Sequence, residues 1–322
     1  MKKVFITRRI PQNGINMLRD KGYEVDISSN DSPLTQEEFI TFLKSKPYDA
    51  VLCMLSDRID AKVFDAGPSV RIFSNYAIGF DNFDIVEAKK RGVYLTNTPH
   101  GGVDRVAEHA WSLILALTCR IVEGDAYMRE GKYTGFDPML LQGMKVRGKV
   151  LGLIGAGRIG TEVARIGASG FGMRVAYYDI VRNEKIEELQ NVTYWPTIEE
   201  VLKQSDIVSI HVPLMESTRH LIDAERLKLM KDSSILINTS RGAVIDETAL
   251  VEALKTSVIR GAGLDVFEYE PGLTSGLTDL KNVIVTPHIA SSTVEARQDM
   301  ARMSANNIIE LFENGRPLDV IQ

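Results

Sequence analysis

A glycine-rich segment at residues 155–160 carries the clearest chemical signal in the sequence. Its letters, GAGRIG, follow an apolar stretch at residues 150–154 and open an amphipathic helical pattern. The next strand pattern ends in Asp179, which lies 19 residues beyond Gly160. In a dinucleotide-binding unit such glycines permit a tight turn and a close approach to a pyrophosphate, and the acid binds ribose hydroxyls. We therefore predict that the cofactor is bound by Gly155, Gly157, Gly160 and Asp179.

The type of cofactor follows from Asp179. A carboxylate at this position repels the 2′-phosphate of NADP, so the sequence favours NAD, with NADH as the preferred reductant. Arg182 lies three residues further on and is able to soften this preference, so NADPH remains an alternative. A glycine-rich turn with an incidental acid is the structural alternative. It is less consistent with a strand, a helix, a second strand and an acid in register.

Hydride transfer also requires a proton donor or acceptor near the substrate carbonyl and a cation for a negatively charged substrate group. Histidine is the usual acid or base, and the sequence contains five histidines. The helical context of His109 favours packing, the charged context of His220 favours an exposed loop, and His100 stands beside two glycines at an apparent domain junction. His211 and His288 each follow a strand pattern, where ligands bind in open sheets, and the pattern alone does not separate them.

The elements that position these residues form two series of short β-branched runs that alternate with amphipathic segments. Such alternation predicts βαβ units around parallel sheets. The first series predicts strands at residues 4–6, 24–27, 50–55, 70–74 and 93–96, and helices at residues 14–21, 36–44 and 85–91. The second series predicts strands at residues 150–154, 174–178, 207–212, 234–238, 260–266 and 283–286, and helices at residues 159–168, 198–204 and 248–255.

Two longer helical segments complete the pattern. Residues 104–129 are predicted as one helix between the two series, and residues 291–322 as a final helix that ends near Gly315. A final helix after a complete sheet often packs back on the other domain. The pattern therefore predicts an α/β protein with two doubly wound, Rossmann-like domains.

The composition is that of a globular protein of about two domains, with 322 residues, of which 44% are apolar. A formal net charge of −5 argues against nucleic acid as the main partner. Cys53 and Cys119 lack neighbours at ligand or redox spacing, so no disulfide framework or cysteine-based metal site is expected. The longest apolar stretch, residues 107–119, is too short to cross a bilayer, and the N-terminus lacks a signal-peptide pattern. We expect a cytoplasmic protein without a membrane or metal partner.

Several segments resemble the signatures of a known protein family. Residues 238–246 have the sequence NTSRGAVID, residues 263–271 have GLDVFEYEP, and residues 286–290 have TPHIA. Together with NTP at residues 97–99 and IGFDN at residues 78–82, they closely resemble the D-isomer-specific 2-hydroxyacid dehydrogenases. The resemblance covers essentially the whole chain, and the motifs stand in the order of the family.

The resemblance implies catalytic roles for three residues. Arg241 would bind the substrate carboxylate and carbonyl, Glu270 would support the histidine, and His288 would be the acid or base, which favours His288 over His211. The guanidinium fork matches a planar carboxylate, and a carboxylate stabilises the imidazolium. Each residue alone is better explained as a surface ion pair, a polar turn or a capped turn. Three such residues at the strand ends of one sheet favour a site.

The family also implies contacts to the cofactor and the substrate. Backbone amides of Arg158 and Ile159 would meet the pyrophosphate, and Asp265 would bind the nicotinamide carboxamide, although a purely structural loop position is the alternative for Asp265. The adenine pocket and the rest of the cofactor site are assigned to His211, Val212, Pro213 and Thr239. The substrate is assigned to Arg241, to backbone N–H groups of Ala77, Ile78 and Gly79, and to the side chains of Met54 and Leu55.

The resemblance also implies the domain organisation. Residues 1–99 and 289–322 would form a substrate-binding (catalytic) domain, and residues 100–288 an NAD-binding Rossmann domain, with the active site in the interdomain cleft. A homodimer is expected through the apolar helix at residues 111–119. The alternative for that helix is a place in the core of one subunit.

Within the family, residues 54–60 and 131–138 resemble the glyoxylate/hydroxypyruvate reductases. This implies NAD(P)H-dependent reduction of small 2-oxo acids to 2-hydroxy acids, namely glycolate and D-glycerate. The alternatives are a D-lactate or phosphoglycerate dehydrogenase, the latter typically with arginine in place of Met54, and a non-enzymatic NAD-sensing corepressor of the C-terminal-binding-protein type. Turnover of glyoxylate with NADH distinguishes an enzyme from a sensor.

Overall fold

The computed structural model describes residues 1–30 and 32–321, and the chain divides into two compact units. Unit 1 comprises Met1–Gly102 and Ser291–Gln322, and unit 2 comprises Val103–Ala290. Each unit is built around a parallel β-sheet flanked by helices. The predicted α/β class with two parallel-sheet domains is confirmed.

Unit 1 contains a five-stranded sheet in the order β2-β1-β3-β4-β5. Its strands are β1 (Lys3–Ile6), β2 (Glu24–Ile27), β3 (Ala50–Cys53), β4 (Ile72–Asn75) and β5 (Tyr94–Thr96). Its helices are α1 (Gln12–Asp20), α2 (Gln36–Ser45), α3 (Ala61–Ala66), α4 (Ile85–Arg91) and α12 (Val294–Asn314). Successive strand side chains point to opposite faces, so Phe5 and Val51 lie in one apolar cluster while Val4 and Leu52 lie in another.

The final helix α12 completes the core of unit 1. It begins after Thr293, whose Oγ1 accepts a hydrogen bond from the backbone N–H of Ala296 at 3.2 Å. It ends at Gly315, where a φ of +79° favours glycine, as the sequence predicted. The helix packs against α1 so closely that a Cβ at Gly14 would lie 2.7 Å from the carbonyl oxygen of Ala301. A glycine is therefore required on this face of α1.

Unit 2 contains a seven-stranded sheet in the order β12-β11-β10-β9-β6-β7-β8. Its strands are β6 (Val150–Ile154), β7 (Arg174–Tyr178), β8 (Val192–Tyr194), β9 (Ile207–Ile210), β10 (Ile235–Asn238), β11 (Gly261–Leu264) and β12 (Val283–Val285). Its helices are α5 (Val103–Thr118), α6 (Ile121–Arg129), α7 (Arg158–Arg165), α8 (Glu184–Glu187), α9 (Ile198–Gln204), α10 (Ala224–Leu227) and α11 (Glu247–Lys255).

The strand order of unit 2 marks a position for a ligand. From β6 the chain continues to β7 and β8 on one side of the sheet, and then returns to β9 on the other side. The order therefore reverses between β6 and β9. In open α/β sheets ligands bind beyond the carboxyl ends of the strands at this switch point. The glycine-rich segment follows β6 and His211 follows β9, so both lie at that edge.

The single helix predicted at residues 104–129 is wrong, because the chain forms two helices, α5 and α6. Between them Arg120 has a left-handed φ of +54°. The carbonyl of Thr118 accepts a hydrogen bond from the backbone N–H of Met144 at 2.8 Å. A distant segment thus takes up a carbonyl that a continuous helix would use, and the helix stops there. Strand β8 and the short helices α3, α8 and α10 were not predicted, since each contains less than two periods of its own pattern, 2 residues for a strand and 3.6 for a helix.

The apolar side chains of α5 lie in the core of unit 2. Trp111 stacks on Phe171 with ring centroids 4.6 Å apart, and its indole N–H donates to the carbonyl of Val163 at 3.1 Å. Leu113 and Ile114 are also buried within this unit. For these residues the structure favours the core-helix alternative over a dimer face.

The described residues contain neither a membrane-spanning helix nor a cluster of metal ligands. In the part of the chain that the structure describes, no helix has the length and apolar character needed to cross a bilayer. Among residues 1–30 and 32–321, no group of three or more His, Cys, Asp or Glu side chains is placed to hold a metal ion.

Candidate active site

The glycine-rich loop after β6 has room for glycine alone at two positions. Gly155 has a φ of +98°, and a Cβ there would lie 2.8 Å from the carbonyl carbon of His211. A Cβ at Gly160 would lie 2.2 Å from the carbonyl oxygen of Gly155. At Gly157, by contrast, a Cβ would meet no described atom within 4 Å. Gly155 and Gly160 therefore allow the close backbone contacts of the loop, and Gly157 leaves open space beside the backbone.

This loop fits the diphosphate of a dinucleotide. Helix α7 begins directly after Gly157, and its first turn contains Arg158 and Ile159 and no acidic residue. The N–H groups and partial positive charge of a helix N-terminus attract an anion. The open space at Gly157 lies beside these N–H groups. The sequence-predicted residues of the pyrophosphate site are thus brought together at the start of α7.

Asp179 is fixed beside the same loop. Its Oδ2 accepts a hydrogen bond from the backbone N–H of Ala156 at 2.7 Å. Asn183 holds the segment after Asp179 against the glycine-rich loop. Its Nδ2 donates to the carbonyl of Ala156 at 2.6 Å and to Thr161 Oγ1 at 3.2 Å. The carboxylate predicted to select the cofactor is therefore held at the end of β7, next to the glycines.

His288 and Glu270 form a pair in unit 2. The Nδ1 atom of His288 lies 3.0 Å from Oε2 of Glu270, and Oε1 of Glu270 accepts from the backbone N–H of Phe267 at 2.9 Å. Partial burial opposes ionisation of Glu270, but the hydrogen bond and charge of His288 outweigh it and hold the pKa of Glu270 below its usual value. The carboxylate orients the imidazole through Nδ1, so Nε2 is the ring nitrogen left for other partners.

Arg241 lies on a loop that is tied to the loop of Glu270. Asn238, at the end of β10, donates from Nδ2 to the carbonyl of Arg241 at 2.9 Å. A Cβ at Gly242 would lie 1.8 Å from the carbonyl carbon of Phe267, so the two loops meet backbone to backbone. The charge of Arg241 also contributes to the lowered pKa of Glu270, after burial and the larger effect of His288. Unit 2 thus brings the three predicted catalytic residues into one edge of the sheet.

Asp265 holds the turn that contains His288. It is fully buried at the end of β11, and its Oδ1 accepts from the backbone N–H of Ile289 at 2.9 Å while Oδ2 accepts from that of Ala290 at 2.7 Å. The carbonyl of Asp265 accepts from the backbone N–H of His288 at 2.9 Å. His288 itself has a φ of +54°, an unfavourable conformation for a non-glycine residue. These contacts support a positioning role for Asp265, and its contact with the nicotinamide carboxamide stays a prediction.

His109 belongs to the same network. Its Nε2 lies 3.0 Å from Thr286 Oγ1, which donates to Asp265 Oδ1 at 2.6 Å. Burial alone would raise the pKa of Asp265, but these hydrogen bonds outweigh it and lower the pKa. The sequence assigned His109 to helix packing. The structure places it, buried, behind the turn of His288.

His211 has the environment of a neutral residue. Its ring contacts Ser209, with Nε2 2.9 Å from Oγ, and burial lowers the pKa of His211 to about 3. A group that stays unprotonated near neutral pH is a poor proton donor. This separates the two histidines that the strand pattern left unresolved, and it favours His288, as the family resemblance does. The backbone of His211 packs closely against Gly155 in the glycine-rich loop.

Thr239 offers a polar atom to a ligand. It follows β10 and is buried, and its Oγ1 has no hydrogen-bond partner among the described residues. An unpaired buried hydroxyl is costly unless a ligand or water pairs with it. Val212 is half-buried and Pro213 exposed after β9, and the carbonyl of Pro213 accepts from Thr218 Oγ1 at 2.7 Å. The residues assigned to the cofactor thus follow neighbouring strands of one sheet.

A second histidine–carboxylate pair, missed by the sequence analysis, supports the loop of Glu270. His220 was predicted to lie in an exposed loop, but its Nε2 is 2.6 Å from Oε1 of Glu268, whose side chain is only 2% exposed. The backbone N–H of His220 donates to the carbonyl of Ala243, and that of Glu268 donates to Glu247 Oε1 at 2.7 Å. His220 therefore joins the loop after Arg241 to the loop before Glu270.

The residues assigned to the substrate in unit 1 lie on two loops with fixed backbones. Met54 and Leu55 are half-buried after β3, and the backbone N–H of Met54 donates to Asp57 Oδ2 at 2.7 Å. After β4, the carbonyls of residues 77–79 accept hydrogen bonds from Thr98 N (2.9 Å), Asn97 Nδ2 (2.6 Å) and Asn75 Nδ2 (2.9 Å), respectively. Both segments are therefore rigid parts of unit 1, as a binding loop requires.

Comparisons with known proteins identify the family. Residues 111–290 match the family model described as D-isomer specific 2-hydroxyacid dehydrogenase, NAD binding domain. A curated glyoxylate reductase from Thermococcus gammatolerans is 47% identical over 317 residues, which cover 97% of this chain and 93% of that protein. One from Pyrococcus furiosus is 46% identical over 317 residues, with 97% and 93% covered.

Solved structures agree with this result. A protein of Thermus thermophilus is 36% identical and superposes with a TM-score of 0.92, covering 99% of this chain and 100% of that chain. An NADPH-dependent glyoxylate/hydroxypyruvate reductase from Sinorhizobium meliloti, solved with NADP and malonate, is 29% identical with a TM-score of 0.86, covering 99% and 96%. The chain belongs to the D-isomer-specific 2-hydroxyacid dehydrogenase family, as its sequence motifs predicted.

Membership of this family defines the general activity. The protein is an NAD(P)-dependent oxidoreductase that binds a nicotinamide cofactor and interconverts 2-oxo acids and D-2-hydroxy acids. Unit 2 contains the matched NAD-binding segment, the glycine-rich loop and Asp179.

Proposed function

We propose that this enzyme reduces glyoxylate to glycolate and hydroxypyruvate to D-glycerate, with NADH as the preferred reductant. The observation that carries the proposal is the pair of His288 and Glu270, with Nδ1 and Oε2 3.0 Å apart, on a loop packed against that of Arg241. The curated glyoxylate reductases at 46% and 47% identity support the choice of substrate. A D-lactate or phosphoglycerate dehydrogenase is the alternative within the family.

The chain supplies a proton donor and a binding group for the substrate carboxylate. A nicotinamide cofactor, when bound, would supply the hydride that reduces the carbonyl carbon of the substrate. His288, protonated, donates the Nε2 proton to the carbonyl oxygen as negative charge develops there, and Glu270 stabilises the imidazolium through Nδ1. Arg241 binds the substrate carboxylate with its planar fork of donors.

The cofactor site uses the carboxyl edge of the unit 2 sheet. Backbone N–H groups of Arg158 and Ile159 hold the diphosphate at the N-terminus of α7. Asp179 accepts from the ribose hydroxyls and opposes a 2′-phosphate, which gives the preference for NADH. Thr239 Oγ1 hydrogen-bonds to the cofactor, which satisfies a buried hydroxyl. His211, Val212 and Pro213 form the wall beside the adenosine, and Asp265 supports the nicotinamide end.

The substrate site favours small 2-oxo acids. In unit 2, Arg241 is proposed to bind the substrate carboxylate. In unit 1, the backbone N–H groups of Ala77, Ile78 and Gly79 are proposed to bind a carboxylate, and Met54 and Leu55 to give apolar contact. A phosphate at Met54 would lose hydration without gaining a charged partner, which is costly. We therefore expect 3-phosphohydroxypyruvate to be a poor substrate.

A homodimer and a cytoplasmic location also belong to the proposal. Apolar side chains are exposed on α6 and the following loop, where Phe136 is 89% and Met139 71% exposed. Exposed apolar groups of this kind mark an interaction surface, which supports a partner of the same chain. Light scattering coupled to size-exclusion chromatography is expected to give twice the mass of the 35.8 kDa chain.

A substrate panel tests the proposed function. The purified enzyme is assayed with glyoxylate, hydroxypyruvate, 3-phosphohydroxypyruvate and pyruvate, each with NADH and NADPH. We expect the highest kcat/KM for the first two substrates with NADH, and D-glycerate as the product from hydroxypyruvate. A higher kcat/KM for 3-phosphohydroxypyruvate would contradict the substrate assignment. Tight NADH binding without turnover of any 2-oxo acid would favour a sensor.

A further inference from the structure

The segment after Asp179 contains Arg182, whose guanidinium donates hydrogen bonds to Glu187. Arg182 Nε lies 2.8 Å from Oε1 of Glu187, and Arg182 Nη2 lies 2.5 Å from Oε2 of the same carboxylate. The guanidinium and the carboxylate thus form a bidentate pair, the geometry in which arginine also binds phosphate. Arg182 is three residues beyond Asp179, and Glu187 is the last residue of the short helix α8.

Glu187 is held in this position by the core of unit 2. The hydroxyl of Tyr177, a fully buried residue of β7, donates to Glu187 Oε1 at 2.6 Å. The Glu187 side chain is 19% exposed, whereas that of Arg182 is 62% exposed. The hydrogen bonds from Arg182 and then from Tyr177 lower the pKa of Glu187 to about 2, so the carboxylate is charged at every pH near neutrality. The arginine is therefore the solvent-exposed partner of the pair, and its guanidinium also lies 5.9 Å from the centroid of the Tyr194 ring, whereas the glutamate is the more buried partner.

The position of this pair bears on the choice between NADH and NADPH. In Rossmann domains the acid at the end of the second strand binds the ribose hydroxyls, and an arginine close to it accommodates the 2′-phosphate of NADP. Arg182 has the residue type and the place in the chain for this second function. Asn183, the next residue, is bonded to the carbonyl of Ala156 in the glycine-rich loop, so the segment is part of the nucleotide site.

We propose that Glu187 is a selectivity residue that keeps Arg182 from binding the 2′-phosphate of NADPH. The proposal rests on the proposed function, in which NADH is the preferred reductant. A 2′-phosphate would have to displace the Glu187 carboxylate from the same N–H donors, and it would remain close to that negative charge. Asp179 excludes the phosphate directly, and Glu187 removes the cation that would otherwise offset this repulsion.

Binding of nucleotide fragments tests the proposal without turnover. Adenosine 2′,5′-bisphosphate and adenosine 5′-monophosphate differ in the 2′-phosphate, and isothermal titration calorimetry measures the Kd of each. In Glu187→Gln, a variant that retains an acceptor for the Tyr177 hydroxyl, the bisphosphate should bind roughly 3- to 10-fold more tightly, the effect of one partly exposed charged contact. The Kd of the monophosphate should change by less than about twofold in the same variant.

Three further variants separate the effect of the pair from general charge effects. In the double variant Arg182→Ala with Glu187→Gln, the gain for the bisphosphate should disappear, because it requires the released arginine. Glu184→Gln removes the same charge from α8, where Glu184 is exposed and makes no described hydrogen bond to Arg182, and should change the Kd by less than about twofold. Arg182→Ala alone should hardly change the Kd of the bisphosphate, since the wild-type arginine is already paired with Glu187.

The results that would overturn the proposal are specific. They are an unchanged bisphosphate Kd in Glu187→Gln, a gain that persists without Arg182, an equal gain in Glu184→Gln, or a marked loss in Arg182→Ala alone. The measurement on Arg182→Ala alone does not depend on the fold of any Glu187 variant. Glu187→Ala provides a second test of whether loss of the carboxylate changes the bisphosphate Kd. Failure of the proposed function would look different: the wild-type enzyme would then fail to reduce glyoxylate with NADH, whatever these variants do.

Discussion

At the scale of single residues, the reaction depends most on His288. Its Nδ1 is committed to Glu270, and the turn that contains it is fixed by Asp265. His288→Ala should lower kcat by roughly 10²- to 10⁴-fold, the usual contribution of a general acid. The Kd of NADH should hardly change, because the glycine-rich loop and Asp179 do not contact His288 in any described bond. Steady-state kinetics and fluorescence titration with NADH measure both quantities. A variant that keeps its kcat would show that another group donates the proton.

The carboxylate of Glu270 should set the pH range of the reaction. Although partial burial opposes it, the interaction with His288 holds the pKa of Glu270 below its usual value, so this carboxylate is a negative charge beside the imidazole. Reduction requires a proton on His288, and Glu270→Gln removes the negative charge that pairs with the imidazole through Nδ1. The alkaline limb of kcat/KM for glyoxylate reduction should therefore move to lower pH. Oxidation of glycolate requires neutral imidazole, and its acidic limb should move in the same direction. Profiles that do not move would exclude Glu270 from this role.

The sequence placed these residues after the strands of one parallel sheet, and the resemblance to family motifs then assigned their roles and favoured His288 over His211. It gave no basis for their supporting partners, which come from far along the chain. His220 pairs with Glu268 at a separation of 48 residues, and His109 bonds to Thr286 at a separation of 177 residues. Neither contact produces a local spacing or a periodic pattern. The context of His220 indicated an exposed loop, and only the packing of distant loops makes it half-buried.

At the scale of elements, the close contact between the loops of Arg241 and Glu270 predicts a strong effect of one methyl group. A Cβ at Gly242 would lie 1.8 Å from the carbonyl carbon of Phe267. Backbone has little freedom to move away, so Gly242→Ala should destabilise the protein by about 1–3 kcal/mol or more. It should also lower kcat/KM, because both catalytic loops are displaced. Chemical denaturation and steady-state kinetics measure the two effects.

Gly124 is the matched control for this substitution. It lies inside helix α6, and a Cβ there would meet no described atom within 4 Å. Gly124→Ala should therefore be neutral or stabilise the protein by up to about 1 kcal/mol, since alanine is the better helix former. Equal stability of the two variants would contradict the backbone contact at Gly242.

Helices and strands with an uninterrupted apolar period are the elements that the sequence predicts best. Strands β2, β6 and β7 and helices α4 and α9 agree residue for residue with the sequence prediction, because each has an uninterrupted apolar period. The break between α5 and α6 follows from a bond between Thr118 and Met144, which lie 26 residues apart. The helical pattern at residues 104–129 gives no indication of that hydrogen bond.

At the scale of the molecule, two alternating series in the sequence predicted two parallel sheets, and the structure has them. Unit 1 is nevertheless discontinuous, since α12 returns to pack against α1. That arrangement depends on a contact between Gly14 and Ala301, some 287 residues apart, and a pattern could only suggest it. Protection of backbone amides by bound ligands can test which unit binds the cofactor and which binds the substrate.

The assignment of cofactor and substrate to different units predicts two separable patterns of hydrogen–deuterium exchange. A ligand present at about 100 times its Kd stabilises the groups it holds by about 2.7 kcal/mol, which slows exchange of their amides measurably. In the full-length enzyme, NADH should protect the loop at residues 155–160 and the segment at residues 179–183 in unit 2. Further addition of oxamate, an unreactive analogue of small 2-oxo acids, should protect residues 54–57 and 77–82 in unit 1 and residues 239–242 in unit 2. Oxamate protection confined to unit 2 would contradict the substrate role of Met54 and the Ala77 loop, and would leave the cofactor assignment intact.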